Sequence, residues 1–154
     1  MDDYLEGIRS AWLGEQFGQR FFLEMALASS DETMSTRWKT LSQLEEVTGN
    51  RMAEVLAFWD AAPSGSEFVD ISPEIVEQFT GVSHQEAMQK MKTRVEEALL
   101  RFDHLLAIAP DQDIAAVQFL VDHEQALLTF VNRELAGDAD NSMADVERLL
   151  SNQE

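Results

Sequence analysis

A chain of 154 residues with 45% hydrophobic content is long enough to form one domain with a substantial core. Its 11 Lys and Arg residues against 29 Asp and Glu residues give a formal net charge of −18, which opposes binding to nucleic acid and to anionic membranes. The absence of cysteine excludes disulfides, thiolate metal ligands and cysteine nucleophiles, so any metal must be held by oxygen or imidazole.

Apolar residues recur at helical spacing along almost the whole chain, and no segment shows the two-residue alternation of a strand. The sequence therefore predicts an all-α protein. A first helix is predicted over residues 2–28. The second begins at a cap formed by Ser30 or Asp31, because short polar side chains accept hydrogen bonds from the free N–H groups of a helix start. It ends near Ala62, before the helix-breaking residues 63–66.

The second half of the chain again contains two long helices joined by a tight turn. After a short helix near residues 73–79, a third long helix begins at the capping box Ser83 to Glu86 and ends before Pro110. The fourth begins at Asp111 or Asp113 and ends at Gly137, because glycine is favoured where a helix ends in a left-handed conformation.

The connection lengths predict how these helices are arranged. Each tight turn joins an antiparallel hairpin, and roughly twenty residues separate the two hairpins. This pattern predicts a four-helix bundle over residues 1–137 with a long crossover, followed by a short amphipathic helix over residues 138–154 that packs on the bundle or extends from it. We expect helices one and three, and helices two and four, to run in the same direction, with residues 63–82 travelling along the bundle.

Three glutamates fall in the middle of apolar helix faces. On a helical wheel of about 100° per residue, Glu15, Glu45 and Glu124 lie at the centres of the apolar stripes of helices one, two and four. Each alone could reach an arginine or solvent. A buried carboxylate without a partner is costly, so it is protonated, paired with a cation or bound to a metal. Because the three lie at similar distances from their turns, we expect one shared site.

The third helix and the histidine leave the ligand set open. Glu96 is as far from the turn as Glu124, but it lies at the edge of its apolar stripe, and we expect it rather than Glu97 to face the core. His123 is a further candidate ligand, although the wheel turns it about 100° away from Glu124 and favours an outer position. Thr48 is expected to hydrogen-bond its own preceding turn.

This order of glutamates resembles the ligand set of the ferritin-like superfamily of di-iron carboxylate proteins. That family uses one Glu from each of two helices and a Glu-x-x-His motif from each of the other two. Glu15 and Glu96 match the single glutamates. Residues 45–48 and 124–127 match the motifs in their glutamates only, with Thr48 and Leu127 at the histidine positions. Residues 123–137 are also similar to the last bundle helix of small bacterial ferritin-like proteins.

The resemblance implies a metal-binding protein with iron or manganese ions as cofactors and with oxygen or peroxide chemistry, as in di-metal oxidoreductases. The metal ligands that it implies are Glu15, Glu45, Glu96 and Glu124, and we add His123, which lies outside the motif positions, as a further candidate ligand. A second interpretation is a ferritin-like scaffold with a decayed metal site that acts as a helical interaction module. The two missing motif histidines leave both interpretations open.

The same features set the expected partners and location. A divalent metal is the expected partner, with no nucleic acid and no membrane, and the protein acts alone or as a homodimer. No apolar run approaches the roughly 20 residues of a bilayer span, and the N-terminus lacks the basic start of a signal peptide. A cytoplasmic location is therefore predicted.

Overall fold

The structure is a computed structural model that describes residues 1–63 and 70–153, and within these residues all regular secondary structure is helical. The prediction of an all-α protein is thus confirmed. The described α-helices are α1 (Asp2–Ala28), α2 (Glu32–Phe58), α3 (Pro73–Thr80), α4 (His84–Ala107), α5 (Ile114–Leu135) and α6 (Ala144–Ser151). Short 3₁₀ turns at Asp111–Asp113 and Ala139–Asn141 precede α5 and α6. Residues 64–66 of the predicted helix break lie outside the described residues.

Side-chain caps begin two of the long helices. The Asp31 carboxylate accepts a hydrogen bond of 2.9 Å from the Thr33 backbone N–H at the start of α2. The Ser83 hydroxyl accepts one of 3.1 Å from the Glu86 N–H at the start of α4. Both caps are at predicted positions, because a polar side chain before an amphipathic run satisfies N–H groups that have no partner inside the helix.

Residues with positive φ end α2 and α5. Gly137 has a φ of 79° just beyond α5, as its position predicted. Asp60 has a φ of 56°, and the N–H of Ala61 returns to the Leu56 carbonyl at 2.8 Å. This left-handed residue closes α2 at Phe58 rather than near Ala62, so the predicted end of the second helix is wrong.

Contacts with the two ends of α5 fix the direction of the other helices. Tyr4 at the start of α1 and Trp59 at the end of α2 both donate hydrogen bonds to Asp113, which precedes α5. Glu134 at the end of α5 lies 3.4 Å from Arg37 of α2 and 3.3 Å from His84, the first residue of α4. Accordingly α1 runs parallel to α5, while α2 and α4 run antiparallel to it.

The prediction that helices one and three, and helices two and four, share a direction is therefore wrong. Since α2 ends and α4 begins at opposite ends of α5, α4 starts at the end of α5 where α2 also starts. A helix that starts there runs parallel to α2 and against α1. The proximity of Gly7 in α1 to Leu105 in α4 agrees with this direction.

Aromatic packing forms much of the core, and the short helices cover two sides of it. Phe22 stacks on Trp38 with ring centroids 5.8 Å apart. Phe79 of α3 meets Phe21 of α1 edge to face at 4.9 Å, so α3 lies against α1 and α4. The C-terminal helix α6 packs against α5 and α2 through the fully buried Val146.

The helical segment Asp111–Leu135 is long and apolar enough to cross a membrane when judged by length and composition alone. The expectation that no run approaches a bilayer span is wrong by that measure. The evidence for a membrane span is weak, because 56% of the apolar window is buried inside the protein and core helices of soluble proteins pass the same test.

Candidate metal centre

Three of the predicted glutamates and His123 meet between α1, α2 and α5. Glu15, Glu45 and Glu124 are 3%, 6% and 7% exposed, and His123 is completely buried. Glu15, His123 and Glu124 offer ligand atoms that all lie within 4.8 Å of one another. Glu45 joins them through its Oε2 atom, which is 3.5 Å from Nε2 of His123. These four residues, which we call the carboxylate cluster, are acidic apart from one imidazole.

Two glycines make room for the cluster between α1 and α2. A Cβ atom on Gly18 would lie 2.6 Å from the carboxyl carbon of Glu45. A Cβ atom on Gly49 would lie 3.3 Å from the Cβ of Glu15. Each glutamate thus packs over a glycine of the opposite helix, and the closeness at Gly18 means that any larger residue there displaces the Glu45 carboxylate.

Thr48 sets the orientation and the protonation of the His123 imidazole. The Thr48 hydroxyl donates its hydrogen to the Leu44 carbonyl at 2.9 Å, as predicted, and its oxygen lies 2.8 Å from His123 Nδ1. Because a hydroxyl has one hydrogen, Nδ1 must carry its own proton and donate it to the Thr48 oxygen. The neutral imidazole then has its lone pair on Nε2, which is the atom free to bind a metal.

Two polar atoms of the carboxylate cluster are buried without a hydrogen-bond partner among the described residues, namely Glu15 Oε2 and His123 Nε2. Within the cluster, Glu15 Oε2 lies 3.5 Å from His123 Nδ1, and Glu45 Oε2 lies 3.5 Å from His123 Nε2. These are longer than a good N–H···O hydrogen bond. Unpartnered buried polar atoms destabilise a fold, and a cation between these two atoms would satisfy both.

The electrostatics of the cluster favour an added positive charge. Burial raises the pKa of Glu124 to about 7, and the charge of Glu45 adds to this, while His123 and Arg101 oppose it. Burial alone would lower the pKa of His123, but the negative charge of Glu45, its 3.5 Å contact with the protonated ring and the charge of Glu124 together raise it. Glu124 and His123 therefore stay protonated to higher pH than usual. This is expected where buried carboxylates have few cations nearby.

Glu96 lies outside the cluster. Its side chain and that of Glu97 are exposed on α4, so the prediction that Glu96 faces the core is wrong. The buried face of α4 passes through Val95 and Ala98. Residue 96 is turned about 100° from Val95 and therefore points to solvent.

The expected outer position of His123 is also wrong, and the sequence contained a signal for its burial. Between Ile114 and Asn132, α5 carries only Asp122 and Glu124 as formally charged residues. A helix that is apolar around most of its circumference is buried on several sides, and α5 does contact α4, α2 and α6. A residue turned away from the centre of its apolar stripe is then still inside the protein.

A pocket of about 200 Å³ between α1 and α4 reaches the carboxylate cluster. Glu15, Glu45 and Glu124 line its inner end, and most of its other lining residues are apolar. Arg94 and Arg101 also line it, and both are exposed, so they mark its outer rim. The cluster is thus reached from the surface by an apolar passage with a basic entrance.

Comparison of the chain with protein-family models, with curated proteins and with solved structures finds no match. The resemblance to the ferritin-like superfamily therefore stays a prediction that rests on the residues of this chain. What the site binds is argued from the geometry of the carboxylate cluster itself.

Proposed function

We propose that this is a ferritin-like metal-binding protein that holds iron or manganese through Glu15, Glu124 and Nε2 of His123, with Glu45 as a fourth acidic group. The observation that carries the proposal is that Glu15, His123 and Glu124 bring ligand atoms within 4.8 Å of one another, in a cluster where Glu15 Oε2 and His123 Nε2 are buried without a hydrogen-bond partner. A divalent cation would satisfy both atoms and offset most of the negative charge of three glutamates.

The donor set suits manganese or ferrous iron. Carboxylate oxygens are hard ligands, and a single imidazole adds affinity for iron or manganese over calcium or magnesium. One imidazole and three carboxylates are enough for one metal, whereas a second metal would depend on carboxylates alone. When bound, the metal supplies Lewis-acid or redox chemistry toward oxygen or peroxide. The role of Thr48 is to hold Nδ1–H, so that Nε2 faces the carboxylates.

The proposal includes a ferritin-like bundle of two hairpins and a crossover. Support comes from α2 ending beside Asp113 while α4 begins beside Glu134, at opposite ends of α5. The cytoplasmic location and the homodimer stay predictions. The alternative of a decayed scaffold is favoured by Thr48 and Leu127, which stand where the ferritin-like motifs carry histidine.

Thermal unfolding tests the metal site. Protein stripped with a chelator should melt at a higher temperature after addition of Mn²⁺, or of Fe²⁺ without oxygen, because a ligand that binds only the folded state stabilises it by mass action. The gain is about 2.7 kcal/mol when the free metal is at 100 times its Kd. Elemental analysis of protein purified without chelator identifies the metal that it carries.

Matched variants separate the site from general effects of acidic protein on metals. His123→Gln and Glu15→Gln should lose most of the melting shift, whereas His104→Gln and Glu96→Gln should keep it, because these two side chains are exposed on α4. Equal melting curves with and without millimolar metal, or equal responses in all four variants, would overturn the metal site and favour the decayed scaffold.

A further inference from the structure

We infer that the pocket between α1 and α4 binds an amphipathic carboxylate with a short apolar tail, its head at Arg94 and Arg101 and its tail directed toward the carboxylate cluster. The inference deepens the proposed function, on which it rests for the metal at the inner end. It names the class of small molecule that would be presented to that metal.

The apolar lining sets the character of the tail. The walls are formed mainly by aromatic and aliphatic side chains of α1, α3 and α4, among them Phe17, Phe21, Ile75, Phe79, Met91 and Phe102. An apolar protein cavity of about 150 Å³ takes up benzene, so a pocket of about 200 Å³ holds a short alkyl chain or one ring. Binding of such a tail removes apolar surface of both the pocket and the ligand from water.

Gly14 lies at the exposed edge of the pocket. This glycine of α1 lines the pocket, and a Cβ atom built on it would meet nothing within 4 Å. Glycine inside a helix costs about 1 kcal/mol relative to alanine. A larger side chain at this position therefore has room beside the pocket, and we expect it to block the pocket entrance.

The rim sets the charge of the head group. In a chain with a formal charge of −18, two arginines stand together at the entrance. The Arg94 guanidinium lies 5.8 Å from the Phe79 ring centre, and that of Arg101 lies 5.8 Å from the Phe102 ring centre. Within residues 1–63 and 70–153, neither makes a salt bridge with a carboxylate, although the charge of Arg101 lowers the pKa of Glu124. Their planar donor groups suit a carboxylate, which accepts two parallel hydrogen bonds.

The opposite charges at the two ends set the orientation. An anionic head at the inner end would face the negative charges of Glu15, Glu45 and Glu124, whereas at the rim it meets two arginines. The head therefore stays at the rim, and the tail occupies the inner end. A cationic head is repelled at the rim, and a neutral hydroxyl accepts only a weaker hydrogen bond there than a carboxylate does.

Calorimetric titration of the whole protein with octanoate, 1-octanol, octylammonium and acetate tests the pocket. Octanoate should bind about tenfold tighter than 1-octanol, the scale of one charge-assisted hydrogen bond, octylammonium should bind weakest, and acetate should not bind. In the double variant Arg94→Gln and Arg101→Gln, octanoate should fall to the affinity of 1-octanol. Octanoate binding no tighter than octylammonium would overturn the inference.

Filling the pocket gives a second test. Gly14→Leu should abolish the binding of both octanoate and 1-octanol, whereas Ala57→Leu, which adds the same side chain on the exposed face of α2, should leave both unchanged. A melting curve of each variant shows that it is folded. Octanoate binding that survives in folded Gly14→Leu protein would place the ligand elsewhere and overturn the inference.

Manganese titration of the same samples separates this inference from the proposed function. A manganese-induced melting shift without octanoate binding overturns the pocket assignment and leaves the metal site in place. Octanoate binding that depends on Gly14 and the two arginines, without any manganese shift, overturns the metal site and retains an amphipathic-anion pocket.

Discussion

The Thr48 hydroxyl links the backbone of α2 to the imidazole at the centre of the cluster. It donates to the Leu44 carbonyl and accepts from His123 Nδ1. A single polar side chain thereby fixes both the ring orientation and the nitrogen that faces Glu45. The site consequently depends on a residue that cannot itself be counted among the acidic or imidazole ligands.

Replacement of Thr48 by valine, which has the same shape but no oxygen, leaves a buried Nδ1–H without its acceptor. We expect the free energy of unfolding of the metal-free protein to fall by about 1–3 kcal/mol and manganese affinity to fall about tenfold or more. Urea unfolding and the manganese-induced melting shift measure the two effects. Thr36→Val is the control, because Thr36 makes the same bond to Glu32 at 3.0 Å on an exposed face. Equal losses in both variants would contradict the role of Thr48.

The raised pKa of Glu124 predicts how metal-free protein responds to pH. A carboxyl group with a raised folded pKa favours folding while it is protonated. This stabilisation is fully present below pH 4.5, the ordinary pKa of a glutamate side chain, and it is lost as pH rises through about 7. The free energy of unfolding falls by about 3 kcal/mol over this range. The pKa of His123 is also raised, so its loss of a proton above pH 6.5 lowers the stability further.

Unfolding by urea between pH 4.5 and pH 8, with a chelator present, measures this loss. Glu124→Gln should remove most of the pH dependence and should be more stable than the unmodified protein at pH 8. Glu96→Gln removes an exposed negative charge and should leave the slope almost unchanged. A metal-free protein that gains stability over the same range would rule out a strained carboxylate cluster.

Residue patterns predicted the three inward glutamates because the apolar stripes of α1, α2 and α5 are well defined. The same reasoning failed for Glu96, which lies beside the stripe of α4 and is exposed. It failed for His123 because a helical wheel has one inner face, whereas α5 is enclosed by several helices. The number of neighbours around a helix is a property of the assembled fold and is only indirectly encoded in one helix.

Between elements, the packing around α1 and α2 depends on the surroundings of three glycines, which the sequence alone does not reveal. Gly14, Gly18 and Gly49 all lie inside helices, where glycine is unfavourable. The space around them differs, since Gly18 touches the Glu45 carboxylate and Gly14 faces open volume. The same substitution should therefore have opposite effects at the two positions.

Gly14→Ala should raise the free energy of unfolding by up to about 1 kcal/mol through helix propensity. Gly18→Ala forces the Glu45 carboxylate to move, because its Cβ atom would lie 2.6 Å from the carboxyl carbon. We therefore expect Gly18→Ala to lose the manganese-induced melting shift, while Gly14→Ala keeps it. Circular dichroism melts with and without manganese measure both quantities. Identical behaviour of the two variants would refute the assigned packing.

The end of α2 allows a second test between elements. Asp60 has a φ of 56°, a conformation in which a residue with a Cβ atom is strained by about 1 kcal/mol. Asp60→Gly should raise the free energy of unfolding by about 0.5–1 kcal/mol, measured by urea unfolding. Gly137→Ala, at a φ of 79°, should lower it by a similar amount. A destabilised Asp60→Gly variant would show that interactions of the aspartate side chain stabilise the fold by more than the left-handed backbone conformation destabilises it.

Helix starts were predicted well because caps such as Asp31 and Ser83 are local signals. The end of α2 was missed, because an aspartate in the left-handed region has no distinctive sequence pattern. The relative directions of the helices were also missed. A connection length limits how far a chain can travel, but it does not by itself say which neighbouring helix will be parallel.

At the scale of the whole molecule, buried polar side chains tie the helices together at both ends. Asp113 accepts hydrogen bonds from Tyr4 at 2.9 Å and from Trp59 at 2.8 Å, which joins the start of α1, the end of α2 and the start of α5. Burial and the nearby Asp113 raise the pKa of Tyr4, so its hydroxyl stays a donor. Glu134 joins α2, α4 and α5 at the opposite end.

Removal of the Asp113 carboxylate should therefore weaken the whole fold. We expect Asp113→Ala to lower the free energy of unfolding by about 3 kcal/mol, since each hydrogen bond to a charged group contributes about 1.5–3 kcal/mol. Asp111→Ala is the control, because Asp111 is an exposed neighbour in the same 3₁₀ turn. Urea unfolding followed by tryptophan fluorescence measures both variants. A loss below about 1 kcal/mol in Asp113→Ala would mean that the shared acceptor adds little to the assembly of the helices.

The basic rim above a fully buried imidazole also affects how fast a metal exchanges. Arg94 and Arg101 repel a divalent cation at the entrance, although the carboxylate cluster attracts it inside. If the cluster binds a metal as proposed, we expect the metal to cross this entrance slowly, so that exchange depends on local opening of the helices as well as on affinity. We expect chelators to remove bound metal slowly and folded apo-protein to load slowly. Loading would be fastest while the chain folds, before α1 and α4 close over the cluster.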